Sequence, residues 1–183
     1  MKLDPEKEIE CYVGANFSSW WNQEEINDPG LVLYRTGYGI SYTKCPIIWV
    51  SRLQIEITIS NTEAEYIASY PATRDALPFV SFMKEIQFVL KLQGDDPKVL
   101  CSMFENPVTD HEDNQGSVAL VVAPQMRLCT EHIIINYHHF RSFVANSDIE
   151  IQDIDTKEQI ADVFTKPLDS ELSVYLYYKL SSW

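Results

Sequence analysis

The sequence predicts an α/β protein built on a sheet of mixed strand direction, and three observations predict it. Strand-like runs come first, "CYVGANF" and then "LVLYRTGYGISYTKCPIIWVSRLQIEITIS", rich in the β-branched and aromatic residues that suit a pleated, half-buried surface. The period then switches to that of a helix at "SNTEAEYIASY", where Ala64, Ile67 and Ala68 share one stripe. Beyond it, strand-like and helix-like segments alternate, the pattern of an α/β sheet.

In the first strand, Cys11, Val13, Ala15 and Phe17 point to one face and Tyr12, Gly14 and Asn16 to the other. The second face carries polar or missing side chains where a strand meets a loop, a common place for chemistry, yet no acid, base or nucleophile stands there. "NQEEINDPG" is a turn-rich loop holding Glu24 and Glu25, and the long apolar stretch after it reads as two strands joined around "TKCP", which completes an antiparallel meander. Ser60 and Glu63 have the spacing of a capping box, so a helix starts there. An interior proline costs about 3 kcal/mol, so Pro71 ends that helix near Tyr70 or kinks it. A further helical segment covers "PFVSFMKEIQFVLKL", and "GDDP" breaks the chain before a short strand, "KVLCSMFE". "DNQGSVALVVA" reads as a helix. "TEHIIINYHHFRSFVAN" is a helix by length, with a strand as the rival reading from Ile133 to Ile135. "DIEIQDI" is a strand by alternation, "TKEQIADVFTKPL" a short helix and "SELSVYLYYKL" a terminal one.

The 183 residues, 45% of them apolar and 12% aromatic, are enough for a real core. No apolar run approaches the ~18 residues of a membrane span. The polar start "MKLDPEKEIE" lacks the apolar stretch of a signal peptide, so an intracellular protein is expected, in cytoplasm or nucleus, with no membrane partner. Cys11, Cys45, Cys101 and Cys129 form no C-x-x-C pair and read as free thiols rather than a disulfide framework or a zinc site, and His111, His132, His138 and His139 do not repair the zinc case. A net charge of −13 counts against a free-standing protein that binds nucleic acid by neutralising phosphates, though not against a module that borrows a basic neighbour. His138–His139 read as a polar helix face, Trp20–Trp21 as packing residues, and Lys166 with Pro167 as a helix end.

Three acids stand where secondary structure changes: Glu65 early in the first helix, Asp113 between a strand and a helix, and Asp162 in "QIADVFTKPL". Singly they read as a solvated helix residue, an N-cap and a helix-face acid. Together, "NTEAEYIA", "EDNQGSVAL" and "QIADVFTKPL", in this order and spacing, resemble the C-terminal ribonuclease H domain of copia-type LTR retrotransposon polyproteins, in their reverse transcriptase/RNase H region. "GYGISYTKCPIIWVSRLQIEITIS" looks like that family's meander and "HIIINYHHFRSFV" like its segment before the last strand, so the resemblance runs from about Ile9 to Trp183.

The resemblance implies a ribonuclease H-like fold: a five-stranded mixed sheet, with an antiparallel three-strand meander first and helices packed on it. It implies a single domain over residues 1–183, its core at about 9–168 and a C-terminal helix at 169–183. It also implies a two-metal site, with carboxylates holding Mg²⁺ (or Mn²⁺) over the RNA strand of an RNA–DNA hybrid, one metal activating water and the other stabilising the leaving oxygen. Glu65, Asp113 and Asp162 match three of the family's metal ligands. At the end of the first strand the family has an Asp-x-Asp pair, where this chain has Gly14 at the metal-binding aspartate and Asn16 at the second acid. Glu10 is on the same strand face, but four residues at about 3.3 Å each leave it roughly 13 Å away. Two further departures are Pro71, in the helix that presents Glu65, and Glu131, where the family commonly has a basic residue. The partners implied are an RNA–DNA hybrid and a reverse transcriptase domain of the same polyprotein, which is not found among these residues. The expectation is a degenerate nuclease domain with weakened metal binding. The alternatives are an active hybrid endonuclease using the three remaining acids, and a non-catalytic interaction module.

Overall fold

The computed structural model describes residues 9–17, 33–58, 60–92, 107–122 and 131–181. Strands β1 (Ile9–Phe17), β2 (Tyr34–Tyr42) and β3 (Cys45–Leu53) form the antiparallel meander, and β4 (Val108–Glu112) and β5 (Ile149–Asp153) add parallel to β1 on its other side. The five-stranded sheet has the order β3-β2-β1-β4-β5. This is the ribonuclease H-like sheet that the resemblance implies. The β2–β3 turn is tighter than "TKCP" suggests. Thr43 and Lys44 take positive φ of 55° and 65°, as a two-residue hairpin needs, and Cys45 and Pro46 already pair with Tyr42 and Ser41.

Helix α1 (Asn61–Leu92) corrects the expectation of a break at Pro71: it runs for 32 residues with Pro71 and Pro78 inside it. It starts as expected, with the Glu63 backbone N–H donating to Ser60 Oγ at 3.1 Å. Packing explains its continuity. Ala64, Ala68, Ala72 and Ala76, spaced one turn apart, are all at most 1% exposed, and the stripe lies in one core with Cys11, Val13, Ala15, Tyr38 and Ile40 of the sheet. Methyl side chains let the helix sit close to the strands, and the apolar area buried along that stripe offsets the hydrogen bonds lost at two prolines.

The strand leading to Asp113 also differs from expectation. "KVLCSMFE" lies outside the described residues, and the strand that enters the site is β4, "VTDHE", every residue of which is buried. Two acids and a histidine hid it from an apolar alternation pattern. Helix α2 (Gln115–Val122) is capped by Asn114, whose Oδ1 accepts from the N–H groups of Gly116 (2.8 Å) and Ser117 (3.2 Å), so the cap is one residue later than Asp113. The ambiguous segment is helical, α3 (Glu131–Ala145).

"TKEQIADVFTKPL" is not one helix. It splits into a 3₁₀ turn (Thr156–Glu158) and a four-residue α4 (Asp162–Thr165), followed by α5 (Ser170–Ser181). Gln159 holds the split open. Its fully buried side chain donates from Nε2 to the carbonyls of Val13 (2.9 Å) and His111 (3.1 Å), lashing the segment across β1 and β4. Helix α1 thus covers one face of the sheet. On the other, Ile160, Ala161 and Phe164 pack with Tyr12 and Leu180. No described helix is long and apolar enough to cross a membrane.

Candidate metal centre

Because β1 and β4 are parallel, their C-terminal ends open on the same edge of the sheet. Tyr12 pairs with His111, and two residues further along each strand stand Gly14 and Asp113. Glu65 reaches this edge from the second turn of α1, and Asp162 from the start of α4 on the opposite face. Carboxylate oxygens of Glu65, Glu112 and Asp113 all lie within 4.8 Å of one another. Asp162 stands outside that close set but near enough for its charge to act on Glu65, and for Asp113 to act on it. Its Oδ2 is bound by Lys166 Nζ at 2.8 Å, one helical turn on, and the Lys166 backbone N–H closes the helix on the Asp162 carbonyl. Of the three acids singled out in the sequence, Glu65 and Asp113 converge together with Glu112, while Asp162 lies outside that set and holds Lys166.

The electrostatics are those of a crowded anionic site. Burial pushes the Glu65 carboxyl up to about 7, with Asp113 and Asp162 adding to the rise and Asn114 and Lys166 opposing it. Burial raises Asp162 as well, against the pull of Lys166. Glu112 is held well above the usual carboxylate range, by burial first and then by Asp110, Glu65 and Asp113. Asp110, on the α1 side of β4, is pushed up to about 7 by burial. Among the described residues, Glu65 Oε2 and Glu112 Oε1 are buried with no hydrogen-bond partner.

This donor set fits a hard divalent cation. Three carboxylates border the gap, and oxygens sharing one Mg²⁺ at about 2.1 Å each lie at most about 4.2 Å apart, those on a larger Ca²⁺ up to about 5 Å. The 4.8 Å that bounds these separations lies within the Ca²⁺ span and slightly beyond the Mg²⁺ one, so the acids would close a little to share Mg²⁺.

Gly14 is where a fourth carboxylate would enter. A Cβ there would meet only the Ala161 Cβ, at an ordinary 3.4 Å, and the backbone is not in the left-handed region. Its partner across the β1–β2 ladder behaves oppositely. A Cβ on Gly37 would fall 2.6 Å from Thr165 Cγ2 and 2.7 Å from Phe164 Cβ, so the approach of α4 to the sheet requires that glycine. Packing demands glycine at 37 and not at 14.

The remaining candidates lie elsewhere or outside the described residues. His138 and His139 are exposed on α3, where the His139 ring meets Tyr70 and Phe143 edge-on. His111 is buried, stacked on Tyr12 and 3.5 Å from Glu10. Trp20, Trp21, Glu24 and Glu25 lie outside the described residues, as do the side chains of Glu131 and His132. Glu112 and Asp110 are the acids that the sequence reading missed. Their signal was the i, i+2 repeat in "TDHED", which puts both on one strand face.

No family model matches the chain. Curated relatives do. A retrovirus-related Pol polyprotein from transposon TNT 1-94 of Nicotiana tabacum is 30% identical over 131 residues, 72% of this chain. Pol polyproteins from transposons RE2 and RE1 of Arabidopsis thaliana are 28% and 29% identical over 132 residues, again 72% of the chain. The chain is related to the Pol polyproteins of copia-type transposons. It spans only 9% of the tobacco polyprotein and 8% of each Arabidopsis one. Among solved structures, LC11-RNase H1, isolated from compost by a metagenomic approach, aligns over 86% of this chain and 92% of its own, at 16% identity and a TM-score of 0.48. The same chain carries the five-stranded mixed sheet in the order β3-β2-β1-β4-β5 and an acidic cluster on its β1–β4 edge.

Proposed function

We propose that this chain is the ribonuclease H-like domain of a transposon Pol polyprotein, and that its hybrid-cleaving metal site is impaired by the loss of the β1 carboxylate. The observation that carries the reading is Gly14. It stands on β1 two residues beyond the Tyr12–His111 pair, as Asp113 does beyond β4, and its backbone and surroundings accept a Cβ, which would meet only Ala161. In the working family site an aspartate there is a principal metal ligand. Here Glu65 and Asp113 remain on one side, while Asp162 is engaged by Lys166.

The chemistry that divalent metal supplies when bound is activation of water and stabilisation of the leaving oxygen in an in-line displacement at phosphorus. The chain's own part is to hold that charge with anionic oxygens at fixed spacing, and three features keep the acids in place. Asn114 caps α2 directly after Asp113, Gln159 lashes the segment before Asp162 to β1 and β4, and Ser51 Oγ donates to the Phe164 carbonyl at 2.6 Å. The substrate class is RNA–DNA hybrid, presented by a reverse transcriptase domain of the same polyprotein. With −13 net charge the domain gains little from phosphate attraction by itself.

The test is calorimetric Mg²⁺ titration beside hybrid cleavage for wild type, Gly14→Asp, and Gly14→Asp with Asp113→Asn. Gly14→Asp is expected to tighten Mg²⁺ binding by about tenfold or more, or ~1.4 kcal/mol, and the second substitution to abolish the gain. Robust cleavage by wild type, lost on Asp113→Asn alone, would overturn the reading and leave a working three-acid nuclease.

A further inference from the structure

Glu112 carries an inference that rests on the reading above and goes beyond it. Its residue is 2% exposed, the last of β4, and its carboxylate faces the gap shared with Glu65 and Asp113. Oε1 has no hydrogen-bond partner, although the carboxylate as a whole accepts from the Asn114 backbone N–H and, at 3.5 Å, the far limit of such a contact, from the Ser117 hydroxyl at Oε2. Glu65 Oε2 is likewise buried and unpartnered, although its carboxylate also accepts from the Asn114 side chain. Buried carboxylates are ordinarily paired, hydrogen-bonded or bound to metal. Among the described residues, no cationic side chain forms an ion pair with Glu65 or Glu112, and Lys166, whose charge acts on Glu65, is bound to Asp162.

We propose that Glu65, Glu112 and Asp113 form a single-cation site in which Glu112 supplies the carboxylate that Gly14 does not. The site takes a hard divalent cation such as Mg²⁺ or Mn²⁺, with water completing its shell. It is shifted along β4 toward the α1 face, away from Gly14 and Asp162. Asp110 supplies the contrast. It is equally buried on the same face of β4 and also has an unpartnered oxygen, but it is not among the acids that converge. If burial alone explained Glu112, the two acids would behave alike.

The measurement is Mn²⁺ binding to the full chain, read from the loss of the free-Mn²⁺ electron paramagnetic resonance signal, for wild type, Glu112→Gln, Glu112→Met, Asp110→Asn and Gly14→Asp. Replacing groups that merely support a metal ligand typically costs 10- to 100-fold in affinity, so both Glu112 variants should lose at least about tenfold and Asp110→Asn no more than about twofold. Glu112→Met keeps the length with no polar atom to satisfy, so it reports on the carboxylate even if Gln is poorly tolerated. Wild-type affinity retained in either folded Glu112 variant overturns the proposal, as does loss of equal size in Asp110→Asn. A wild type that binds no Mn²⁺ at millimolar concentration also overturns it. In that last case, gain of binding by Gly14→Asp leaves the lost-ligand reading standing, and absence of that gain removes both.

Discussion

Asp110→Asn should make the protein's stability less sensitive to pH, and the size of the effect follows from where Asp110 sits. The residue is 3% exposed in the middle of β4, its Oδ1 has no hydrogen-bond partner, and burial lifts its carboxyl from the ordinary 3.8 to about 7. A carboxyl that holds its proton in the folded state, but releases it near 3.8 when unfolded, favours folding fully below that pH. The contribution is then lost steadily as pH rises, until the folded group also ionises near 7. The interval corresponds to about 4 kcal/mol, at about 1.4 kcal/mol for each pH unit. Asparagine keeps the shape and cannot ionise, so it escapes this loss. The variant should match wild type within about 1 kcal/mol near pH 4 and exceed it by about 3 kcal/mol at pH 6 and about 4 kcal/mol at pH 8. Urea unfolding across that range, with a chelator present so that metal does not couple to the transition, gives the difference at each pH. A constant difference between the two proteins would show that Asp110 is not the titrating group, and that the strand carries an ionised carboxylate by some means not visible in its surroundings.

Two further outcomes test the scaffold and the surface. Gln159→Met removes both side-chain bonds to the Val13 and His111 carbonyls; urea unfolding should show a loss of about 2–4 kcal/mol, and a loss under about 1 kcal/mol would mean that α4 is held without it. Hybrid binding at about 150 mM salt should be no tighter than the non-specific range of about 10⁻⁴ to 10⁻⁶ M, and submicromolar affinity by fluorescence anisotropy would reveal a folded basic surface that a net charge of −13 conceals.

The meander and the start of α1 were legible because each rests on a local rule: alternation, a tight turn, a serine placed to accept from Glu63. What was not legible depended on tertiary packing. A helix through Pro71 and Pro78 contradicts propensity. It holds because an alanine stripe with a four-residue spacing lies against the core of the sheet. β4 was invisible for the opposite reason: buried strands usually read as apolar, and this one buries Asp110, His111 and Glu112. The site divides the same way. Glu65, Asp113 and Asp162 were singled out by the resemblance of three separated motifs. Glu112, adjacent to one of them, was missed because nothing in a one-dimensional pattern says that the strand continues to it and turns its carboxylate toward α1.

The convergence of these acids is held by packing rather than by metal, and that bears on what the loss at Gly14 means. Helix α4 is seated where Gly37 leaves room for Thr165 and Phe164, and the segment before it is lashed down by Gln159. Asp113 is placed by β4 and by the Asn114 cap that follows, and Glu65 by a helix whose alanine face fits the sheet. None of these contacts uses a ligand carboxylate. A site of this construction would keep its geometry with or without a carboxylate at Gly14, because none of the contacts that seat the other acids involves that position. On the proposed reading, Glu112 stands in for a carboxylate at Gly14 and the charge lies toward α1, while Lys166 pairs with Asp162. A deficit of metal binding would then be a deficit of charge at one strand position, where the backbone and a Cβ are already accommodated.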